Sequence, residues 1–372
     1  MKIRLLHVIT GLDIGGAEKL LYDTVNNLDK NKFLTAVSYL KGDGILQEDF
    51  EKIGVTVYPL NNYSNLFSKA LKLYRIIRQN KIEIIHLHLI EAILLGSVIG
   101  KLAGAKVISS EHNTSNFKNK NFYLKILYRL ISPCISKVIA ISEAVKNKRI
   151  TFAGIPASKI EVIYNGIELK RYNPSTDGSL LKRELKLETS YPIIGTIGRL
   201  DIRKGQIYLI ESIQLLVKEY PAIKLIIVGD GDYKVNLVNE VNRLKLNHHI
   251  YFAGSQDSVI NYLSIFDIFV LPSLEEGLSL SLIEALAMKK AIIASDTGGI
   301  PEVVENNKEG ILIPLRDPGA IAKAIKFILN NAEAVLRMKD ASLIKAKDKF
   351  DMMIFINKIE KIYQYYSPMN VV

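Results

Sequence analysis

The sequence predicts an α/β protein made of two parallel-sheet domains that face each other across a central cleft. Its length of 372 residues exceeds what one hydrophobic core usually organises. Short apolar, β-branched runs alternate with longer amphipathic segments, and this alternation begins a second time in the middle of the chain. In open parallel sheets ligands bind beyond the carboxyl ends of the strands, so we expect the binding site where two such edges meet.

Seven apolar runs mark the predicted strands of the first domain. Each run is followed by a turn and a segment with helical periodicity, which is typical of a parallel sheet covered by helices on both faces. The runs are Ile3 to Ile9, Leu34 to Leu40, Val55 to Leu60, Ile82 to Leu89, Lys106 to Ser110, Val138 to Ile141 and Ile160 to Tyr164.

Six further runs mark the second domain and follow a stretch of turn residues. The stretch from Asn165 to Tyr191 contains Asn-Gly, Asn-Pro and Asp-Gly pairs, which favour turns and linkers, so we place the domain junction there. The second series is Ile193 to Ile197, Lys224 to Val228, Ile250 to Ala253, Ile268 to Leu271, Ala291 to Ala294 and Ile311 to Pro314.

Composition and charge narrow the class of protein. Cys134 is the single cysteine, so an internal disulfide is excluded and a reducing, cytoplasmic compartment is expected. The apolar N-terminal run is interpreted as a strand rather than a signal peptide, because it leads into a glycine-rich turn. The longest apolar stretch, Leu89 to Gly100, carries Glu91 and falls short of the ~20 residues that span a bilayer. A net charge of +11 favours an anionic partner, and phosphate, nucleic acid and an acidic membrane surface all stay open.

The first predicted strand leads into a glycine-rich turn that holds Gly11, Gly15 and Gly16 before a helix. Glycines let backbone amides approach a ligand, and a helix start offers unpaired N–H groups to an anion. The spacing differs from G-x-G-x-x-G, so an ordinary tight turn remains an equal alternative.

The second domain opens with a strand that delivers Arg199 and Lys204 on one loop. Such a pair at the carboxyl end of a strand can bind a diphosphate and offset the negative charge of a departing leaving group. The alternative is a solvated basic loop, and the position after a strand favours the binding interpretation.

A third segment combines a loop, two carboxylates and a helix start. The strand that ends at Pro272-Ser273 is followed by Glu276, and a helix is predicted to begin near Ser279 with Glu284 in its first turns. The helix start supplies backbone donors for phosphate, while the two carboxylates can accept hydrogen bonds from sugar hydroxyls.

Taken together and in order, these motifs resemble family 4 retaining glycosyltransferases of the GT-B fold. The resemblance covers nearly the whole chain, and Glu276 with Glu284 downstream of the basic loop is its most specific part. The motifs span Gly15 to Glu18, Glu111 to Asn113, Ile163 to Ile167, Gly198 to Gly205, Gly229 to Gly231, Pro272 to Ala287 and Gly298 to Val304.

The resemblance implies a domain arrangement and an activity. Residues 1–170 would form a Rossmann-like acceptor domain, and residues 171–350 would form the Rossmann-like domain that binds the donor. The last segment of the chain, about 351–372, would return to the acceptor domain as a helix over Met353 to Tyr366. The activity would be retaining transfer of a hexosyl or N-acetylhexosaminyl group from a UDP- or GDP-sugar to a glycan or polyprenyl-diphosphate-linked acceptor. This suits cell-surface polysaccharide or lipid-linked oligosaccharide assembly. The nucleotide sugar is a co-substrate, so no cofactor is expected.

The resemblance also implies residue roles. Arg199 and Lys204 would bind the donor diphosphate, Glu284 the ribose, and Glu276 would orient the transferred sugar. Backbone amides would contact phosphate or sugar at Gly16, Gly277, Leu278 and Ser279. In this chain Leu278 and Ser279 replace the usual aromatic residue and glycine, which reshapes the expected sugar pocket.

His112 follows the fifth predicted strand and matches the active-site histidine of that family, which hydrogen-bonds the sugar or the reacting groups. From the residues alone, an ordinary capping histidine is the better interpretation. His86 and His88 share one face of a strand, but no third ligand has convincing spacing, so a zinc site is not expected. The resemblance likewise implies metal-independent transfer.

Two stretches of the first domain mix basic and apolar residues at helical spacing. The resemblance implies docking on an anionic membrane surface, at the inner face of the cytoplasmic membrane, near lipid-linked acceptors. A solvated helix face is the alternative, which we favour for the first stretch and leave open for the second. The stretches are Leu66 to Lys81, with Lys69, Lys72, Arg75 and Arg78, and Phe117 to Lys137, with Lys118, Lys120, Lys125 and Arg129.

Three other functions fit the sequence less well. A nucleotide-sugar epimerase of the same fold would share the diphosphate-binding pair, but Glu276 together with Glu284 disfavours it. A dehydrogenase would require G-x-G-x-x-G after the first strand and an acidic residue about 20 positions on. A nucleic-acid-binding module would leave the acidic pair unexplained, so we predict no nucleic-acid partner.

Overall fold

The computed structural model describes residues 2–13, 15–112 and 122–367. The chain divides into two compact units, one made of Met1–Ile167 with Met352–Val372 and the other of Glu168–Asp351. Each unit is built on one parallel β-sheet. The predicted α/β architecture of two parallel-sheet domains is therefore confirmed.

The first unit contains a seven-stranded sheet with the order β3-β2-β1-β4-β5-β6-β7, and all neighbours in it run parallel. Chain order runs outward from β1 in one direction and from β4 in the other, so the sheet has a topological switch point between β1 and β4. The strands are β1 (Ile3–Gly11), β2 (Phe33–Lys41), β3 (Thr56–Pro59), β4 (Ile84–His88), β5 (Lys106–Glu111), β6 (Lys137–Ala140) and β7 (Ile160–Val162).

Helices connect these strands, as parallel pairing requires. The most regular caps are asparagine and serine side chains: Asn65 accepts the N–H of Ser68, and Ser142 accepts the N–H of Val145. The helices are α1 (Gly16–Asn27), α2 (Gln47–Lys52), α3 (Leu66–Gln79), α4 (Ile90–Leu102), α5 (Phe122–Ile131) and α6 (Glu143–Ala153).

The second unit repeats the plan with six strands in the order β10-β9-β8-β11-β12-β13. Its switch point lies between β8 and β11, which pair in parallel through Ile268 with Ile194 and Phe269 with Gly195. The strands are β8 (Ile193–Ile197), β9 (Lys224–Val228), β10 (Ile250–Gly254), β11 (Ile268–Leu271), β12 (Ala291–Ser295) and β13 (Ile311–Ile313). The helices are α7 (Ser179–Glu184), α8 (Gln206–Leu216), α9 (Lys234–Arg243), α10 (Ile260–Ile265), α11 (Leu280–Ala287), α12 (Ile300–Val303), α13 (Pro318–Asn330) and α14 (Ala332–Lys349).

The strands of the second unit are covered on both faces. Every residue of β8, β11 and β12 is buried, although successive side chains of a strand point to opposite faces. On one face, α8, α9 and α13 pack Leu209, Leu237 and Ile325 against strand residues such as Ile194 and Ile227. Burial on two faces explains why these strands read as continuous apolar runs in the sequence.

All thirteen predicted strands are present among the described residues, and their ends differ from the predicted ends by no more than two residues. The chain-terminal helix, α15 (Met352–Tyr366), begins one residue before its predicted start. It belongs to the first unit: Glu360 accepts the backbone N–H of Asp29 at 2.9 Å, and Tyr363 is fully buried there. No helix in the described ranges is both long enough and apolar enough to cross a membrane.

Candidate active site

The predicted diphosphate-binding loop leaves the carboxyl end of β8 and is shaped by a polar turn. The carboxylate of Asp201 accepts the backbone N–H of Arg203 at 2.9 Å and caps a single 3-10 turn, Ile202–Lys204. The guanidinium of Arg203 lies 2.6 Å from the same carboxylate. This side-chain hydrogen bond is the largest effect that lowers the pKa of Asp201 to about 2. Asp201 is therefore ionised at neutral pH and holds Arg203 against the loop.

The basic loop is packed directly against the loop that follows β11. Gly205 adopts φ +64°, and a Cβ atom there would lie 2.1 Å from the carbonyl oxygen of Pro272. The backbone N–H of Leu274 donates to the carbonyl of Arg203 at 2.7 Å. Only glycine permits both the left-handed conformation and the close approach, so this glycine joins the two loops into one structure.

Lys204 and Glu276 form an ion pair across these two loops. The Nζ atom of Lys204 lies 2.6 Å from Oε2 of Glu276, and the lysine side chain is 26% exposed while the glutamate is 12% exposed. The hydroxyl of Ser273 also donates to this carboxylate, at 3.3 Å. The backbone of Glu276 is held by Gly299, whose N–H donates to its carbonyl at 3.1 Å. The two residues predicted to bind phosphate and sugar are thus in direct contact with each other.

Arg199 is an exposed cation on the same loop. Its backbone carbonyl accepts a hydrogen bond from the buried side chain of Gln206 at 3.0 Å, which fixes the loop while leaving the guanidinium outside. Across residues 2–13, 15–112 and 122–367, no carboxylate pairs with this guanidinium. Its charge contributes to the low pKa of Asp201. Arg199 is therefore positioned to bind an anionic group from solution.

The helix α11 starts at the predicted place and carries the second carboxylate. Ser279 is its N-cap and accepts the N–H of Leu282 at 3.3 Å, while Ser281 donates to the last carbonyl of β8, at Ile197, at 3.0 Å. Glu284 is 5% exposed, and its Oε1 accepts the hydroxyl of Tyr172 at 2.6 Å. This hydrogen bond fixes one oxygen of the carboxylate before any ligand arrives.

The structure brings the predicted donor-binding residues of the second unit together at its switch point, along the carboxyl ends of β8 and β11. These residues are Arg199, Lys204, Glu276, Gly277, Leu278, Ser279 and Glu284. Tyr172 was missed by sequence reasoning because it lies in the stretch interpreted as a linker, where only its aromatic character sets it apart.

In the first unit, the predicted glycine turn lies at the carboxyl end of β1, beside that sheet's own switch point. Gly16 is the first residue of α1 and is exposed. Its N-cap, Gly15, has no side chain that could satisfy the first N–H groups of the helix. The N-cap residue therefore makes no side-chain hydrogen bond to the start of α1, and the contact of Gly16 with phosphate or sugar stays a prediction.

His112 directly follows β5 in the first unit. The residue is half-buried, and its Nε2 atom is buried and has no hydrogen-bond partner among the described residues. Burial lowers the pKa of His112 to about 4, and the nearby Arg149 cation contributes to the same shift. His112 is therefore neutral at pH 7 and can accept a hydrogen bond or a proton.

A cluster of three further histidines lies beside His112 and corrects one expectation. No third ligand was expected for His86 and His88, but β1 places His7 opposite His86 in the parallel register. One ring nitrogen from each of His7, His86 and His88 lies within 4.8 Å of the others. The ring of His88 lies 5.9 Å from that of His112, measured between centroids.

Hydrogen bonds within the fold already use most of the ring nitrogens in this cluster. His86 bonds to the hydroxyl of Tyr363 at 2.6 Å through Nδ1 and to that of Ser110 at 2.8 Å through Nε2. Nδ1 of His7 lies 3.1 Å from Nε2 of His88. Neutral imidazoles can ligate transition metals through one ring nitrogen, but either nitrogen of His86 would first have to give up its hydrogen-bond partner. The cluster is better explained as a buried network of neutral imidazoles.

The comparison with protein families divides the chain in the same way as the sheets do. Residues 14–171 match the family model described as Glycosyltransferase Family 4. Residues 179–345 match the model described as Glycosyl transferases group 1. The two matches together cover most of the chain, and each falls within one parallel-sheet region.

Individual relatives extend the similarity over the full length. The chain is 27% identical over 305 residues to UDP-Gal:alpha-D-GlcNAc-diphosphoundecaprenol alpha-1,3-galactosyltransferase of Escherichia coli, which covers 79% of this chain and 78% of that protein. It is 24% identical over 370 residues to the capsular polysaccharide biosynthesis glycosyltransferase CapH of Staphylococcus aureus, with 97% and 98% covered. The crystal structure of Anabaena HepE in complex with UDP and glucose aligns with a TM-score of 0.87 at 22% identity, over 97% of this chain and 99% of that chain.

We predict that the histidine cluster makes stability fall with acidification. Burial lowers the pKa of His7 to about 3, whereas the pKa of a histidine in the unfolded chain is about 6.5. Between these values the unfolded chain binds more protons, so the stabilisation is complete above pH 6.5 and is lost as pH falls. His7→Asn should reduce the dependence of the unfolding free energy on pH by about 1.4 kcal/mol per pH unit between pH 4 and 6.

Urea unfolding followed by circular dichroism at several pH values measures this dependence. His248→Asn, an exposed histidine of the other unit, is the matched control. Equal pH dependence in wild type, His7→Asn and the control would show that His7 is not held neutral by burial.

Proposed function

The chain belongs to the family 4 glycosyltransferases, and on that premise we propose that it transfers a sugar from a nucleotide-diphosphate donor to a glycan or polyprenyl-diphosphate-linked acceptor. Its fold is GT-B, with one parallel-sheet α/β domain for each half of the family pattern. The 2.6 Å contact between Lys204 and Glu276, at the switch point of the second sheet, is the observation that carries the proposal. It joins the cation that we propose to bind phosphate and the carboxylate that we propose to bind the sugar.

The donor would bind to the second unit at the carboxyl ends of β8 and β11. Arg199 supplies an exposed guanidinium, and Lys204 an ammonium already held in the site by Glu276. A diphosphate would compete with Glu276 for the lysine, and the two cations would stabilise the charge that builds up on the leaving nucleotide. Backbone amides at Gly277, Leu278 and Ser279 would complete the contacts to phosphate and sugar.

Glu276 and Glu284 would divide the recognition of the donor between them. Glu276 lies on the loop beside Lys204, so release from the lysine would let its carboxylate bind hydroxyls of the transferred sugar. Glu284 lies inside α11 with one oxygen held by Tyr172 and would bind the ribose. A carboxylate can accept hydrogen bonds from two neighbouring hydroxyls of a sugar at once, which favours such a role for both residues.

The chemistry would be retaining and independent of a metal ion. The two cations and the helix start supply the positive charge that a divalent metal provides in other sugar transferases. We propose front-face attack, in which the acceptor hydroxyl bonds to the anomeric carbon as the bond to the leaving phosphate breaks, and a phosphate oxygen takes the acceptor proton. His112, neutral at pH 7, would hydrogen-bond the transferred sugar near the reacting groups. Catalysis would then rest on positioning and electrostatics.

The relatives favour particular substrates for this chain. The E. coli relative is named for a UDP-galactose donor and a diphosphoundecaprenol-linked acceptor, and HepE binds UDP. We therefore propose a UDP-hexose or UDP-N-acetylhexosamine donor, with GDP-sugars as the alternative, and assembly of a cell-surface polysaccharide or lipid-linked oligosaccharide. The first unit would bind the acceptor. The E. coli and S. aureus relatives are named as transferases, which disfavours the epimerase alternative.

A lipid-linked acceptor requires contact with a membrane, and α5 offers a suitable face. Five large apolar side chains of this helix are exposed, with Lys125 and Arg129 among them. The apolar residues are Phe122, Tyr123, Ile126, Leu127 and Leu130. An amphipathic helix with this composition suits an anionic bilayer surface, and we propose that it docks the protein on the inner face of the cytoplasmic membrane.

The rest of the two predicted basic stretches, outside α5, gives less support for membrane docking. Phe117, Lys118 and Lys120 lie outside the described residues. In the first stretch, where a solvated face was favoured, α3 exposes Leu66 and Phe67 at its start. Its Arg75 and Arg78 are exposed, whereas Lys69 and Lys72 are half-buried, and Lys69 donates to the carbonyl of Leu40 at 2.8 Å. The membrane proposal therefore rests on α5.

We predict that Arg199→Ala weakens UDP binding by about tenfold to a hundredfold, because hydrogen bonds to charged groups contribute about 1.5 to 3 kcal/mol. Arg203→Ala should retain most of the affinity, since the Arg203 guanidinium is bound to Asp201 on the same loop. Calorimetric titration of UDP in the presence of EDTA measures both. Equal affinities for wild type and Arg199→Ala would remove this arginine from the donor site.

Activity assays with nucleotide-sugar donors test the proposed metal independence and the retaining stereochemistry. Hydrolysis or transfer from UDP- and GDP-sugars should persist in EDTA, and proton NMR should show a product with the anomeric configuration of the donor. An inverted product, or activity restored only by Mn²⁺ or Mg²⁺, would contradict the proposed mechanism.

We predict that the two carboxylates separate in steady-state kinetics. Glu276→Gln should lower kcat by about a hundredfold, because it removes an interaction with the charge of the reacting sugar. Glu284→Gln should raise the donor KM by about tenfold with a smaller effect on kcat, because a ribose contact is made equally in the ground and transition states. If both variants only raised KM by the same factor, Glu276 would not face the transferred sugar.

We predict that Phe122→Ser with Leu130→Ser lowers binding to phosphatidylglycerol-containing vesicles by more than about tenfold, because burial of each apolar side chain contributes about 1.5 to 3 kcal/mol. Leu336→Ser with Ile344→Ser removes exposed apolar residues from α14 and should leave binding unchanged. Vesicle sedimentation at two salt concentrations measures the effect. Equal sedimentation of both double variants would rule out α5 as the docking face.

A further inference from the structure

An arginine is buried where the helical pattern of α6 calls for an apolar residue. The buried face of this helix consists of Val145, Arg149, Phe152 and Ala153, and this spacing is that of a core-facing stripe. Arg149 is only 1% exposed. Removing a guanidinium from water costs several kcal/mol unless it is paired, so a buried arginine at a core position requires an explanation.

The partner of Arg149 is the last residue of β5. Nη2 of Arg149 lies 2.7 Å from Oε2 of Glu111, and both side chains are almost completely buried. The guanidinium carbon also lies 5.6 Å from the centre of the Tyr128 ring, which is fully buried on α5. The ion pair therefore joins β5 to α6, and the contact with the ring of Tyr128 joins α6 to α5.

Glu111 is immediately followed by His112, and strand geometry couples the two. Side chains alternate between the faces of a strand, so Ser110 and His112 point to one side while Glu111 points to the other. Ser110 bonds to His86, and His112 lies beside His88, which places both on the histidine side. The regular pairing of β5 with β6 ends at Glu111, opposite Ala140. The residue that Arg149 holds is therefore the last residue of β5, directly before His112.

We propose that the Glu111–Arg149 ion pair is a positioning pair that fixes the end of β5 and keeps His112 in the orientation and neutral form required for transfer. This inference rests on the proposed function, because it assumes that His112 contacts the sugar or the reacting groups. Neither residue of the pair is proposed to touch substrate.

Electrostatics support the second half of the proposal. The Arg149 cation, after burial, lowers the pKa of His112, and protonation of the imidazole beside it is disfavoured. Burial raises the pKa of Glu111, and Arg149 opposes this rise, so the carboxylate depends on the arginine for its charge. Within the described part of the chain, His86, His88 and Arg149 interact electrostatically with His112. The titratable groups that contact these three are His7, Glu111, Tyr128 and Tyr363.

The test measures the titration of His112, UDP affinity and kcat in the full chain. Arg149→Met keeps the length of the side chain but removes the charge and should raise the pKa of His112 from about 4 toward about 6.5. It should lower kcat by about tenfold to a hundredfold through misplacement of the imidazole, and it should move the acid limb of the kcat profile to higher pH. NMR of labelled histidines, assigned with His112→Asn, reports the titration.

Two further variants separate charge from geometry. Arg149→Lys retains the cation but loses the planar fork, so the pKa of His112 should stay low while kcat falls. Lys146→Met removes a half-buried cation from the same helix and should change neither quantity. If Arg149→Met fails to fold, Arg149→Lys still decides the matter, because wild-type kcat in that variant would overturn the positioning role.

UDP affinity distinguishes failure of this inference from failure of the proposed function. All Arg149 variants should bind UDP with wild-type affinity, since the side chains proposed to bind the diphosphate and the ribose, Arg199, Lys204 and Glu284, belong to the other unit. If UDP binds but the His112 pKa and kcat are unchanged in Arg149→Met, the positioning pair is wrong. If wild type binds no nucleotide and transfers no sugar, the proposed function is wrong, while the His112 titration still reports on the pair.

Discussion

Burial of the strands on both faces is the constraint on which the rest of this protein depends. In the second unit every residue of β8 and β11 is buried, so charged groups are accommodated only beyond the ends of these two strands. Parallel pairing then places all these ends at one edge. Because β8 and β11 are neighbours, Lys204 and Glu276 come within 2.6 Å although 72 residues separate them.

Most of the charged side chains described at that edge form ion pairs with one another. Asp201 holds Arg203, and Glu276 holds Lys204, which leaves Arg199 exposed. Such pairing keeps long side chains ordered before a ligand binds, so less conformational entropy is lost on binding. Gly205 makes the arrangement rigid, because its backbone touches that of the loop bearing Glu276 through Pro272.

The first unit relaxes the same constraint through neutral groups and one buried ion pair. Histidines can lie inside β1 and β4 because their imidazoles are neutral and bond to one another, to Ser110 and to Tyr363. Tyr363 comes from the chain-terminal helix, which explains physically why that helix belongs to this unit. Glu111 and Arg149 are tolerated inside this unit because they pair with each other at 2.7 Å.

The sequence by itself determined the two sheets, because doubly buried strands must be apolar along their whole length. It also determined where the loops with Arg199, Lys204, Glu276 and Glu284 lie, since charge and glycine must follow such strands. It determined the start of α11 at Ser279, because a serine cap acts within one turn. All of these are local properties that a short window of residues can express.

Only the tertiary structure decided which distant side chains meet. His7 lies opposite His86, 79 positions later in the chain, through the register of β1 and β4. Tyr172 reaches Glu284 from a segment without regular periodicity. Arg149 breaks the apolar pattern of α6 and would be assigned to the solvent face by its charge alone. Its partner Glu111 lies on another element, and an ion pair depends on distance in space, which hydrophobic periodicity does not encode.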